Sequence, residues 1–179
     1  MAKKRDLHSR ILLNLPTQDF EEKLIYVNRT AKVVAGGRRF RFSALVAVGD
    51  EKGHLGVASA KASEVPDALK KASSKAKKRV FRVPIKQDTI PFDVEGNYCA
   101  TKVILKPAPP GTGIIAASSV RTLVELAGIK NIRAKIIGST NPHNVVKAVI
   151  DAFLKLQDPE FLVGAARGLP LQAVDYSPY

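Results

Sequence analysis

The stretch Val27-Asn28-Arg29-Thr30-Ala31-Lys32-Val33-Val34-Ala35-Gly36-Gly37-Arg38-Arg39-Phe40-Arg41-Phe42-Ser43-Ala44-Leu45-Val46-Ala47-Val48 reads as two strands joined by a glycine turn. In residues 24–34, Ile25, Val27, Ala31 and Val33 fall on one face, opposite Asn28, Thr30 and Lys32. Ala35-Gly36-Gly37 makes the turn, since glycine adopts left-handed backbone angles without a Cβ clash. In residues 39–48 the alternation is clearer. Phe40, Phe42, Ala44, Val46 and Val48 point one way, and Arg39, Arg41 and Ser43 the other. Period-two alternation is the signature of a half-buried strand. The aromatic side is expected to anchor the strand and the arginines to face outward.

On the C-terminal side, Asp50-Glu51-Lys52-Gly53 is a second hairpin turn, and residues 55–61 form a weaker third strand, rich in Ala and Gly. Pro66 suits a first helical position and Asp67 the positive helix end. Leu69, Ala72, Ala76 and Val80 recur at helical spacing, while Lys70, Lys71, Lys75, Lys77 and Lys78 fill the rest. This region therefore reads β-β-β-α, one sheet covered by one helix. Short apolar stretches at 83–85 and 90–94 precede a strand over 99–106. Val120, Leu123, Val124 and Ala127 then give an amphipathic helix ended by Gly128. A strand over 132–137 follows. Asn141 can cap a last helix with Pro142 at its start, whose inward face is Val145, Val146, Val149, Ile150 and Phe153. The expected architecture is α+β in two domains: an extension over 1–22, a first domain over 23–86, a second over 87–157 and a tail over 158–179.

The chain has 179 residues and a formal net charge of +13. Residues 1–86 hold 20 Lys and Arg against 8 Asp and Glu, and residues 87–179 hold 9 against 8. Residues 23–49 and 68–87 contain no acid at all. Excess of one sign confined to one half is self-repulsive and calls for a polyanionic partner, nucleic acid before membrane. A single cysteine excludes a disulfide framework or a multi-cysteine zinc site. No apolar run is long enough for a transmembrane helix or a signal-peptide core, and a reduced, cytoplasmic protein is expected.

The residue types needed for catalysis are poorly grouped. Gly111-Thr112-Gly113 precedes a helix, but Ile114 and Ile115 stand where a phosphate loop carries Lys and Ser or Thr. Asp88, Asp93 and Glu95 alternate with apolar residues as on a solvated strand edge. Cys99 reads as a small buried hydrophobe. His54 lies in a glycine-flanked turn and His143 in a first helical turn, so each reads as structural or RNA-facing. No enzyme activity, metal or cofactor is expected. Arg38, Arg39 and Arg41 instead flank a turn where phosphates can approach the backbone, and guanidinium groups are forked phosphate donors. Asn28 and Arg29 can reach the same surface. Aromatics make up only 6% of the chain, with no Trp, so recognition is expected to be of backbone and shape, with few stacked bases.

Several motifs together resemble the bacterial small-subunit ribosomal protein five family. They are Val27-Asn28-Arg29-x-x-Lys32, Gly36-Gly37-Arg38-x-Phe40-x-Phe42-x-Ala44-Leu45, Val48-Gly49-Asp50 with Gly53, and Lys61-Ala62-x-Glu64-Val65-Pro66. Gly111-Thr112-Gly113-Ile114-Ile115-Ala116 and Gly138-Ser139-Thr140-Asn141-Pro142-x-Asn144-Val145-Val146 complete the set, in order over residues 21–168. The resemblance implies an N-terminal double-stranded-RNA-binding-like βββα domain and a C-terminal βαβα-type domain. It implies a non-enzymatic component of the small ribosomal subunit that binds ribosomal RNA near the body–head junction and the messenger entrance. It implies contacts with small-subunit proteins four and eight, an influence on decoding accuracy, and no homo-oligomer or membrane partner. RNA contacts are thereby expected at Asn28, Arg29, Lys32, Gly36, Gly37, Arg38, Arg39, Arg41, Lys61, Lys70, Lys71, Ser139, Thr140 and Asn141. Gly111, Thr112, Gly113 and Arg121 are expected to face protein four. The sequence departs from the family pattern at Ala58 and Ala60, which replace glycines expected to let RNA approach the backbone, at Ala35 in the hairpin tip, and at Ala117-Ser118-Ser119. The rival readings are a free double-stranded-RNA-binding processing or chaperone factor, and a small phosphoryl-transfer enzyme built on the C-terminal half.

Overall fold

The structure, a computed structural model, describes residues 20–156; the extension and the tail lie outside them, apart from residues 20–22. Strands β1 (Glu21–Val34), β2 (Gly37–Gly49) and β3 (His54–Ala62) are followed by helix α1 (Val65–Lys77) and a short strand β4 (Val80–Arg82). They form an antiparallel sheet in the order β1-β2-β3-β4. The strands β5 (Val94–Tyr98), β6 (Thr101–Pro107), β7 (Ile114–Ile115) and β8 (Ile132–Gly138) form a second sheet in the order β5-β6-β8-β7. Its helices are α2 (Ser118–Ala127) and α3 (Pro142–Lys155).

The α+β architecture with two sheets matches the sequence reading, and several details differ. Val80 belongs to β4 rather than to α1, and Pro66 takes the second helical position, because α1 starts at Val65 after Glu64. Residues Val94-Glu95-Gly96-Asn97-Tyr98 pair as β5 against β6 in a tight hairpin. Cys99 sits in that hairpin's turn at φ +49°, exposed, and is not a buried strand residue. The β6 strand starts two residues later, at Thr101.

The first sheet is also covered on both faces, not by one helix. On one face Ala44, Val46, Val48, Ala58 and Ala60 pack on Ala68, Ala72 and Ala76 of α1. The helix contact is almost all alanine, with Leu69 only half-buried at its edge. Small residues let helix and sheet approach closely, and this explains Ala58 and Ala60: both point into that core and not toward solvent. On the other face Leu45, Ala47, Leu55 and Phe81 join Val120, Leu123, Val124 and Leu126 of α2. The same cluster continues through Val145, Val149 and Phe153 of α3 to Val103, Leu105 and Ile132 of the second sheet. The layers are therefore α1, first sheet, the helices α2 and α3, and second sheet. Backbone hydrogen bonds lock the seam: Glu51 N–H donates to the Leu126 carbonyl at 3.1 Å and Gly53 N–H to the Ala127 carbonyl at 3.0 Å.

Candidate nucleic-acid interface

Beyond Ser43 the β1–β2 hairpin leaves this body. Residues 43–49 are buried, whereas Arg38, Arg39, Phe40 and Arg41 are all exposed. At about 3.3 Å per residue the hairpin extends about 20 Å past the last buried residue. Its tip closes through Gly36 at φ +96° and Gly37 at φ +143°, angles that favour glycine over any residue with a Cβ.

Cross-strand register sorts the basic side chains. Lys32 pairs with Arg39, Thr30 with Arg41, Asn28 with Ser43, and Ser43 with Lys61 on β3. Paired residues share a face, so Asn28, Lys32, Arg39, Arg41 and Lys61 line one side of the sheet. The start of α3 borders this side. Its Asn141 side chain accepts from the His143 N–H at 3.1 Å, and His143 meets Tyr26 edge-on at 6.4 Å between ring centroids. Burial lowers the His143 pKa below its ordinary value, with the charges of Lys147 and Lys61 acting the same way. The turn of Ser139, Thr140 and Asn141 thus stands beside the Lys61 row. It is held by Thr101, whose hydroxyl donates to the Ser139 carbonyl at 2.8 Å.

The opposite side carries Arg29, Ala31, Val33, Arg38, Phe40 and Phe42, because Arg29 pairs with Phe42, Ala31 with Phe40 and Val33 with Arg38. Lys70 and Lys71 belong to this side through α1, which packs on it lower down. Arg29 and Asn28 therefore face apart rather than reaching one surface. Phe40 does not anchor its strand either: it is 46% exposed, and the Arg29 guanidinium carbon lies 3.7 Å from its ring centroid. Element lengths account for this. A 13-residue helix is about 20 Å long, while a 14-residue strand spans about 45 Å, so α1 cannot cover the whole hairpin. The spacing of the two turns in the sequence carried that signal.

The remaining candidates are already partnered. The Gly113 N–H donates to Asn131 Oδ1 at 3.1 Å and the Thr112 N–H to the Pro109 carbonyl at 3.2 Å, so this loop offers no free anion nest at those amides. Arg121 donates to the Ile114 carbonyl at 3.1 Å, which ties α2 to β7. Asp88, Asp93 and Glu95 pair with Lys130, Lys106 and Lys102. His54 Nδ1 lies 2.6 Å from Asp50 Oδ2 inside the β2–β3 turn. Burial opposes ionisation of Asp50, but hydrogen bonds from His54 and from the Lys52 and His54 amides outweigh it and lower its pKa. Among the described residues no three of His, Cys, Asp and Glu gather as metal ligands.

Comparison with known proteins agrees with this layout. The family model described as ribosomal protein S5, N-terminal domain, matches residues 20–84, and that described as ribosomal protein S5, C-terminal domain, matches residues 96–167. Small ribosomal subunit protein uS5 of Aquifex aeolicus is 53% identical over 160 residues, covering 89% of this chain and 76% of the relative. The protein of the same name from Chloroflexus aurantiacus is 50% identical over 144 residues, covering 80% and 81%. That from Syntrophobacter fumaroxidans is 50% identical over 147 residues, covering 82% and 88%. Both halves of the described fold, and the ordered motifs from the hairpin to the α3 cap, thus match one family, and the chain belongs to the ribosomal protein S5 family.

Proposed function

We propose that this chain is a structural, non-catalytic component of the small ribosomal subunit that clamps ribosomal RNA with its β1–β2 hairpin and the adjoining α3 cap. One observation carries the reading. Among the described residues, Arg29, Lys32, Arg38, Arg39, Arg41, Lys61, Lys70 and Lys71 have no carboxylate within ion-pair distance. Lys77, Lys102, Lys106, Lys130 and Lys155 each have one, and Lys23 has two. Of the described cations on β1 and β2 only Lys23 pairs with a carboxylate, so those of the hairpin arm, together with Lys61, Lys70 and Lys71, are open to an external anion. Asn28, Lys32, Arg39, Arg41, Lys61 and the turn of Ser139, Thr140 and Asn141 take one stretch of backbone; Arg29, Arg38, Lys70 and Lys71 take another on the reverse side. The bare Gly36-Gly37 tip lets phosphates reach the main chain.

The family resemblance supports the finer assignment: RNA at the body–head junction near the messenger entrance, and contacts with small-subunit proteins four and eight. It also supports a role in decoding accuracy through the face bearing Gly111, Thr112, Gly113 and Arg121. Sedimentation of the tagged protein through a cell-lysate gradient tests the core claim. Co-migration with small subunits through a moderate-salt wash is expected; free protein beside subunits that lack it would instead favour a separate RNA-processing factor. The double variant Arg38→Glu, Arg39→Glu should stay folded by circular dichroism, since both residues are exposed, and should fail to enter subunits. Normal incorporation of that variant would overturn the hairpin as the RNA clamp.

A further inference from the structure

The reverse side of the hairpin carries, beside the charges of Arg29 and Arg38, an exposed aromatic ring that phosphate clamping does not use. Phe40 is 46% exposed there, and the Arg29 guanidinium lies over its ring at 3.7 Å from the centroid. At that distance the guanidinium rests on the face of the ring. Ala31 stands directly opposite Phe40 in the β1–β2 register, so the neighbouring position is small and leaves room. Val33, 75% exposed, and Arg38 continue the surface toward the tip. Among the described residues nothing covers this surface, and no acid stands by Arg29 or Arg38 to make an ion pair.

We propose that Arg29 and Phe40 together form a stacking platform for one unpaired nucleobase; the inference rests on the RNA reading above. An exposed aromatic ring costs free energy in water unless something covers it. The guanidinium covers part of it and adds its own plane, which attracts the π face of a base. Every base offers such a face, so the contact tolerates sequence. A base inside a duplex has both faces already stacked, so the occupant is an unpaired or bulged nucleotide. The surrounding charge is of one sign and suits the flanking phosphates, whereas a peptide partner would need acidic side chains to match it. The hairpin thereby gains a contact that distinguishes unpaired from paired RNA, in addition to its phosphate contacts.

The full-length chain can be titrated with two RNA probes, a fully paired duplex and the same duplex with one bulged 2-aminopurine. The bulged probe should bind about 5- to 150-fold more tightly, the range that stacking of one base supplies, with quenching of the 2-aminopurine emission. Phe40→Ala should abolish both the preference and the quenching and leave duplex affinity unchanged. Phe40→Trp should preserve them. Arg29→Lys keeps the charge but loses the plane, and should lose part of the preference. Equal binding of both probes by the native chain, or an unchanged preference in folded Phe40→Ala, would overturn the platform and leave the RNA clamp standing. Failure to bind either probe would overturn both.

Discussion

His143 shows how one side chain can report on the interface. It lies in the first turn of α3, half-buried, edge-on to Tyr26. Burial, then the Lys147 and Lys61 ammonium groups, hold its pKa below the ordinary value of 6.5. The sign of the consequence follows from linkage. With the folded pKa depressed, the unfolded chain takes up the proton first as the pH falls. Stability is thus full above about pH 6.5 and declines as the pH drops toward the folded value. His143→Gln should flatten this part of the profile, so that its urea midpoint changes less than that of the native chain between pH 7.5 and 5.5. Equal changes in both proteins would refute the assignment. Residue chemistry of this kind was only half legible in the sequence. Asn141 as a helix cap follows from local chemistry and is present in the structure. The neighbours of His143 come from β1, β3 and α3 itself, and no local pattern announces the first two.

At the scale of elements, the alternation in β2 was readable and its environment was not. Arg39 and Arg41 do share the face opposite Phe40 and Phe42. The same alternation is buried on both sides at residues 43–49 and exposed at the tip, because short helices, α1 on one face and α2 on the other, cover only the lower part of a long hairpin. Periodicity reports which residues share a face, and length decides how far that face is covered. Helix α2 is the opposite case, since its apolar stripe is buried as read. Val124 is 0% exposed and lies in the cluster that joins the two sheets. Val124→Asp puts an unpaired charge there and should unfold the protein, a loss of about 3 kcal/mol or more. A soluble variant with native circular dichroism and an unshifted melting temperature would refute the core assignment.

For the molecule as a whole, the shared core matters most. A single cluster runs from Leu45, Leu55 and Phe81 in the first sheet to Val103 and Ile132 in the second, so unfolding of the second half would expose Leu45, Leu55 and Phe81, and unfolding of the first sheet would expose the side of α2 that packs on it. One cooperative transition is expected by calorimetry. Gly128 tests the seam. It ends α2 at φ +88°, and a Cβ there would run into the Glu51 carbonyl of the β2–β3 turn. Gly128→Ala should cost about 2 kcal/mol and shift that one endotherm without splitting it. Two separate endotherms, only one of them displaced, would show independent domains. The rigid body also fixes the basic rows relative to one another. If about 6–10 phosphates are engaged, affinity for ribosomal RNA should fall about 10³- to 10⁵-fold between 50 and 200 mM salt. Binding that is insensitive to salt would contradict an electrostatic clamp. The amino-acid sequence by itself determined the α+β class, the strand alternation, the helix caps and the concentration of positive charge in residues 1–86, because each depends on neighbours within a few positions. Only the tertiary structure decided which cations lack a carboxylate, which face of the hairpin Arg29 occupies, and that the first sheet lies between helices from both halves of the chain. Those outcomes depend on cross-strand register and on packing between distant segments, and neither is encoded in local spacing.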